Sequence, residues 1–89
     1  MSPLDLVKLL RKTEQFKRRL FKRNCQVCRM PRPFHVHPLG LHDDRVEVEV
    51  HCHHCGAQAR IRVTKDVRQM EREMNAQLFA SAVALELMR

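Results

Sequence analysis

Tryptophan and tyrosine are absent from these 89 residues, phenylalanine occurs four times and glycine twice. A chain this short, with so few large rings, buries little apolar surface, so a core alone is a weak source of stability. With only Gly40 and Gly56 there is no glycine-rich phosphate loop. Neither H-E-x-x-H nor a nucleophile with a positioned base occurs. The deaminase signature fails too, because no proline precedes either cysteine pair. The expectation is a non-enzyme with no small-molecule substrate. No run approaches the roughly 18 apolar residues of a membrane span, so no membrane partner is expected.

Against these absences stand four cysteines in two pairs, Cys25-Gln26-Val27-Cys28 and Cys52-His53-His54-Cys55, separated by 23 residues. Two residues between cysteines let a tight turn point both sulfurs at one ion, and a long insert brings the second turn back as a partner. The spacing therefore predicts one structural Zn2+ held by Cys25, Cys28, Cys52 and Cys55. A four-thiolate site leaves no open position for a reacting water. Gly56 supplies the residue that most easily takes a positive φ after the second pair; Arg29 stands there after the first, making that turn the less ideal one. Arg23, Arg29 and Arg60 are expected to favour the thiolates. His51, His53 and His54 crowd the second pair, as alternative ligands, as donors to the ligands or as exposed side chains.

Two other uses of the cysteines fit less well. Disulfides imply secretion, but Asp5, Lys8, Arg11 and Lys12 interrupt the apolar run a signal peptide needs. A redox C-x-x-C needs a neighbouring βαβ pattern, which is missing. Metal-ligating cysteines point to a reducing compartment, so the protein is expected in the cytoplasm, or the nucleus of a eukaryote.

Charge is unevenly spread. Residues 1–32 carry ten Lys or Arg against Asp5 and Glu14, a net of +8, whereas residues 33–89 carry seven basic and eight acidic residues. Five cations, Lys17, Arg18, Arg19, Lys22 and Arg23, fall within seven positions, and Arg29 and Arg32 follow. Such density suits phosphates, since each one neutralised releases counterions. It also fits an acidic protein partner or a solvated helix end.

The chain divides into a basic amphipathic helix over 1–23, a three-stranded antiparallel metal-binding unit over 24–64 and a C-terminal helix over 65–89, read together as one small α+β domain. Ser2, Pro3 and Asp5 form a helix start. Leu6, Leu10, Thr13, Phe16 and Leu20 form its apolar stripe, widened by Val7, Leu9 and Phe21. Phe34-His35-Val36-His37 alternates as a strand that Pro38 is expected to stop, with residues 39–44 as a loop. Asp43-Asp44 is read as turn chemistry rather than catalysis. Residues 45–51 alternate strictly, and 57–63 alternate again, setting Arg60 and Arg62 opposite Glu47 and Glu49. Thr64 or Asp66 caps the last helix, whose stripe runs through Val67, Met70, Met74, Leu78 and Leu85. That stripe is expected to pack against the first helix or, through Met70, Met74, Leu78 and Leu85, against a partner protein.

The two cysteine pairs, their 23-residue insert, Gly56 and the strand that follows resemble the four-cysteine zinc ribbons of archaeal and eukaryotic transcription and translation proteins, especially small elongation-factor-like ribbons with a basic N-terminal segment. The resemblance covers residues 23–64. It implies a ribbon fold and a place on a polymerase or ribosome. The chain lacks the family's proline after the first cysteine of each pair and a glycine after Cys28. Two functions follow as expectations: a nucleic-acid-associated accessory subunit of a transcription or translation assembly, with RNA or DNA backbone on residues 17–32, or a zinc-stabilised interaction module that docks an acidic partner.

Overall fold

In the computed structural model, which describes residues 2–20, 22–42 and 45–88, two helices flank a three-stranded antiparallel sheet of order β1-β2-β3. The elements run α1 (Pro3–Leu20), β1 (Phe34–His42), β2 (Arg45–Cys52), β3 (Gln58–Arg62) and α2 (Val67–Leu87). Alternation along β2 places Val46, Val48 and Val50 on one face, and all three are buried together with Val36 of β1 and Ala59 and Ile61 of β3. This face is the core.

The helix starts follow from capping. Ser2 Oγ accepts the Asp5 backbone N–H at 3.2 Å, and the Asp5 carboxylate accepts the Ser2 N–H at 3.4 Å. This reciprocal pair satisfies two donors that an uncapped helix leaves orphaned. Asp66 caps α2 by accepting the Gln69 N–H at 3.1 Å, and Thr64 Oγ1 accepts the Asp66 N–H at 3.2 Å. The helix expected to reach Arg23 ends at Leu20, whose carbonyl takes the Arg23 N–H at 2.9 Å.

The buried stripe of α1 is Leu9, Thr13, Phe16 and Leu20. Leu6 and Leu10, expected in it, are about half exposed, because the sheet meets the helix one residue round from them. Thr13 lies inside this contact, where its hydroxyl donates to the Leu9 carbonyl at 2.7 Å and so costs no unsatisfied donor.

Proline does not stop β1 at residue 38. The strand runs on to His42 because it is an edge strand, where a missing N–H is tolerated. The pairing with β2 shifts between Pro38 and Gly40, so Leu39 is an extra residue in a bulge. The adjoining Asp43-Asp44 pair lies outside the described residues.

Packing corrects the expected helix pair. The two helices do not pack on each other: α1 lies on β1 and β2, and α2 lies along β3. Met70, Met74 and Leu78 are buried in the core beside Ile61 and Ala59. Gln77, expected to face solvent, accepts the Arg60 backbone N–H at 2.7 Å and returns its amide to the Arg60 carbonyl at 2.7 Å. Ser81 Oγ accepts the Gln58 N–H at 3.0 Å. These side chains occupy the open edge of β3 as a neighbouring strand would, which closes it to other chains. Past Ser81 the helix runs beyond the end of β3, and Phe79, Val83 and Leu87 are exposed although the sequence there is apolar almost all round.

Candidate metal centre and basic groove

Each cysteine pair sits in a turn held by backbone bonds. Arg29 N–H donates to the Cys25 carbonyl at 2.8 Å and Gly56 N–H to that of Cys52 at 2.9 Å; Cys25 N–H donates to Met30 at 3.1 Å and Cys52 N–H to Ala57 at 2.9 Å. The two turns thus repeat one design. The first is closed by an isolated bridge between Asn24 and Pro31; the second joins β2 to β3.

All four sulfurs lie within 4.8 Å of one another. Cys25 and Cys55 are 3.9 Å apart, and Cys28 and Cys52 3.7 Å. A tetrahedral ion with metal–sulfur bonds of about 2.3 Å needs sulfurs about 3.8 Å apart, whereas a disulfide needs about 2.05 Å. The set therefore fits one ion and no disulfide, and the cysteines are free thiols. No histidine joins the cluster.

The thiols divide by environment. Burial pushes Cys55 up to about 12, helped by the neighbouring Cys52 and Cys25 thiols and opposed by a backbone hydrogen bond from Ala57. Burial also raises Cys25. For Cys28, burial is outweighed by hydrogen bonds from the Met30 backbone and the His54 side chain, and for Cys52 by those from the Cys55 and His54 backbone, so both fall below the usual thiol value. The expected help from Arg23, Arg29 and Arg60 is absent from these causes; Arg60 instead meets Glu49 at 3.8 Å. The other expected cross-strand pair is displaced: Glu47 stands opposite Arg62 in register, but its carboxylate meets His42 at 3.2 Å. His54 as a donor was one of three roles open in the sequence, beside ligand and exposed side chain, and its place inside the C-x-x-C was the only signal.

Six of the seven expected phosphate-binding residues come together. Lys17, Arg18, Arg19, Lys22, Arg23 and Arg32 line one open groove of about 1360 Å³ between the end of α1 and the start of α2. Arg29 is not among them. Its floor is apolar, built from Phe16, Leu20, Phe34, Val36, Met70 and Met74, a feature hidden in the sequence because it needs three elements side by side. Arg23 is ion-paired with Glu71, tying the end of α1 to α2, and Lys17 meets Glu14 at 3.6 Å. Of the expected partner-facing residues, Met70, Met74 and Leu78 are covered by the sheet, and Leu85 keeps 38% exposure.

Among the described residues no helix is long and apolar enough to cross a membrane. Neither a family model, nor a curated protein, nor a solved structure matches the chain.

Proposed function

We propose that this chain is a zinc-stabilised, ribbon-like nucleic-acid-binding module, serving as a structural or accessory subunit of a transcription or translation assembly in a reducing compartment. One observation carries the binding reading: six basic side chains scattered over 16 positions converge on one groove. Zinc is the ion best matched to four thiolates in a closed tetrahedral set, and it would lend such a small fold an apparent binding free energy of roughly 10–16 kcal/mol.

The test is a mobility titration of zinc-loaded protein against structured RNA and duplex DNA at two salt concentrations, beside an Arg18→Gln/Arg19→Gln/Lys22→Gln variant. Arg23 is left intact because it anchors α2 through Glu71. Removing three phosphate contacts should lower the log–log salt slope by about 2–3 and weaken binding without changing the melting curve. Folded wild type that binds neither polymer would refute the reading. A second reading, an acidic amphipathic segment of a partner protein, draws support from the apolar floor of the same groove.

A further inference from the structure

We infer that the groove takes an unpaired strand of nucleic acid, with phosphates on its basic rim and base faces on its apolar floor. This inference rests on the nucleic-acid reading above. A duplex keeps its bases stacked inside and offers phosphates at its surface; it would meet the rim and leave the apolar groups that stay open in the groove, Phe34 and Val67, facing water. An unpaired strand offers both kinds of surface, and base–aromatic stacking is tolerant of sequence.

Phe34 is the ring placed for that contact. It begins β1, is only partly buried, and lines the groove two residues after Arg32, which lines it as well. Arg32 has a positive φ of 52°, a conformation unfavourable for a side-chain-bearing residue. The groove exceeds the roughly 300–1,000 Å³ of ordinary small-ligand pockets and is open, as a site for an extended chain must be.

Charge favours a polynucleotide over an acidic helix. The groove sets six cations against Glu14 and Glu71, an excess that matches a ligand bearing a charge on every unit, whereas an amphipathic helix spends much of its surface on apolar residues. Every contact invoked is to phosphate or base face, groups that RNA and DNA share. Equal affinity for the two sugars is therefore expected.

The experiment is fluorescence anisotropy of the full zinc-loaded chain with a labelled 12-nucleotide ribo-oligomer, the matching deoxy-oligomer and the same sequences as duplexes. A Phe34→Leu variant, which keeps an apolar side chain in the floor, is measured alongside with its melting curve. The expected result is single strands of either sugar bound at least tenfold tighter than duplexes, with Phe34→Leu weakening single-strand binding at least fivefold and leaving duplex binding unchanged. Duplexes bound as tightly as single strands, or a folded Phe34→Leu variant with wild-type affinity, would overturn the inference while leaving nucleic-acid binding in place. Failure to bind any of the four polymers would overturn both. Displacement of the strand by an acidic amphipathic peptide that binds more tightly would assign the groove to a protein.

Discussion

The two cysteine turns make the same two backbone hydrogen bonds from different residues and in different settings. The second grows out of β2, which ends at Cys52, and returns into β3, so paired strands flank it on both sides. Its sharp corner is Gly56, at φ 81°. The first lies between α1 and β1, closed by the bridge Asn24 to Pro31, with the His53 N–H donating to the Pro33 carbonyl beside it at 2.9 Å. Its corner is Arg29, at φ 60°, where a side chain makes the left-handed conformation costly. One turn is flanked by the sheet; the other would depend more on an ion held between the two.

The largest effect should come from removing that ion. Cys28→Ser and Cys52→Ser each delete a ligand and should lose most of the metal-binding free energy, a collapse on the order of the whole stability of so small a domain. Chelation should reproduce it, read as a steep fall in the midpoint of the thermal transition. At sub-stoichiometric chelator the comparison becomes sharp. Hydrogen exchange at the Arg29 and Cys25 amides should accelerate before that at the Gly56 and Cys52 amides. Simultaneous release of both turns would show that the sheet gives the second no independence.

Acid should release the metal by the same route. The Cys25 and Cys55 thiols, both raised by burial, hold protons in the metal-free fold and must give them up to bind. Affinity therefore climbs with pH and falls as pH drops, and the metal-loaded protein loses stability on the acid side. In the metal-free fold the same two thiols have the opposite sign: they stabilise it below the ordinary thiol range, and the Cys55 contribution disappears as pH rises toward about 12, while the lowered Cys28 and Cys52 thiols contribute the reverse. Melting curves of the two forms across pH should diverge accordingly.

Much of this was legible in the sequence, for local reasons. The C-x-x-C spacing located the cluster, strict alternation located the face of β2, and Ser2 and Asp66 announced the helix starts. The four sulfurs fall where that spacing required. What was hidden depends on neighbours distant in the chain. Pro38 read as a stop because nothing local says that its strand lies at an edge. Gln77 read as a solvated position because its partner is a backbone edge 17 residues earlier. Met70 and Met74 had the right spacing for a buried stripe, but periodicity names the face of a helix and not what covers it. The groove was invisible for the same reason: its cations were evident, its floor was not.

A subtler break strikes the corner of the second turn. Gly56→Ala places a Cβ 3.5 Å from Leu85 Cδ1, an ordinary contact, so crowding is not the cost. The cost is the positive φ, about 1–2 kcal/mol for a residue with a side chain, partly offset by the smaller entropy of the unfolded alanine chain. A net loss of about 1 kcal/mol is expected in denaturant melts of the metal-loaded protein. An unchanged midpoint would mean that the turn relaxes to another conformation.

The smallest effect is also the one of opposite sign. Arg29 occupies in the first turn the position of Gly56 in the second, with the same hydrogen bond back to the leading cysteine. Arg29→Gly relieves the left-handed strain but gives the unfolded chain more freedom, so the gain should be about 0.5–1 kcal/mol. Arg29 is exposed and absent from the basic groove, so nucleic-acid affinity should stay within about twofold of wild type. If instead the variant melts lower, the arginine side chain contributes more to the turn than its backbone costs. A gain without loss of binding would show that the left-handed backbone at residue 29 costs stability and that the arginine side chain lies outside the binding surface.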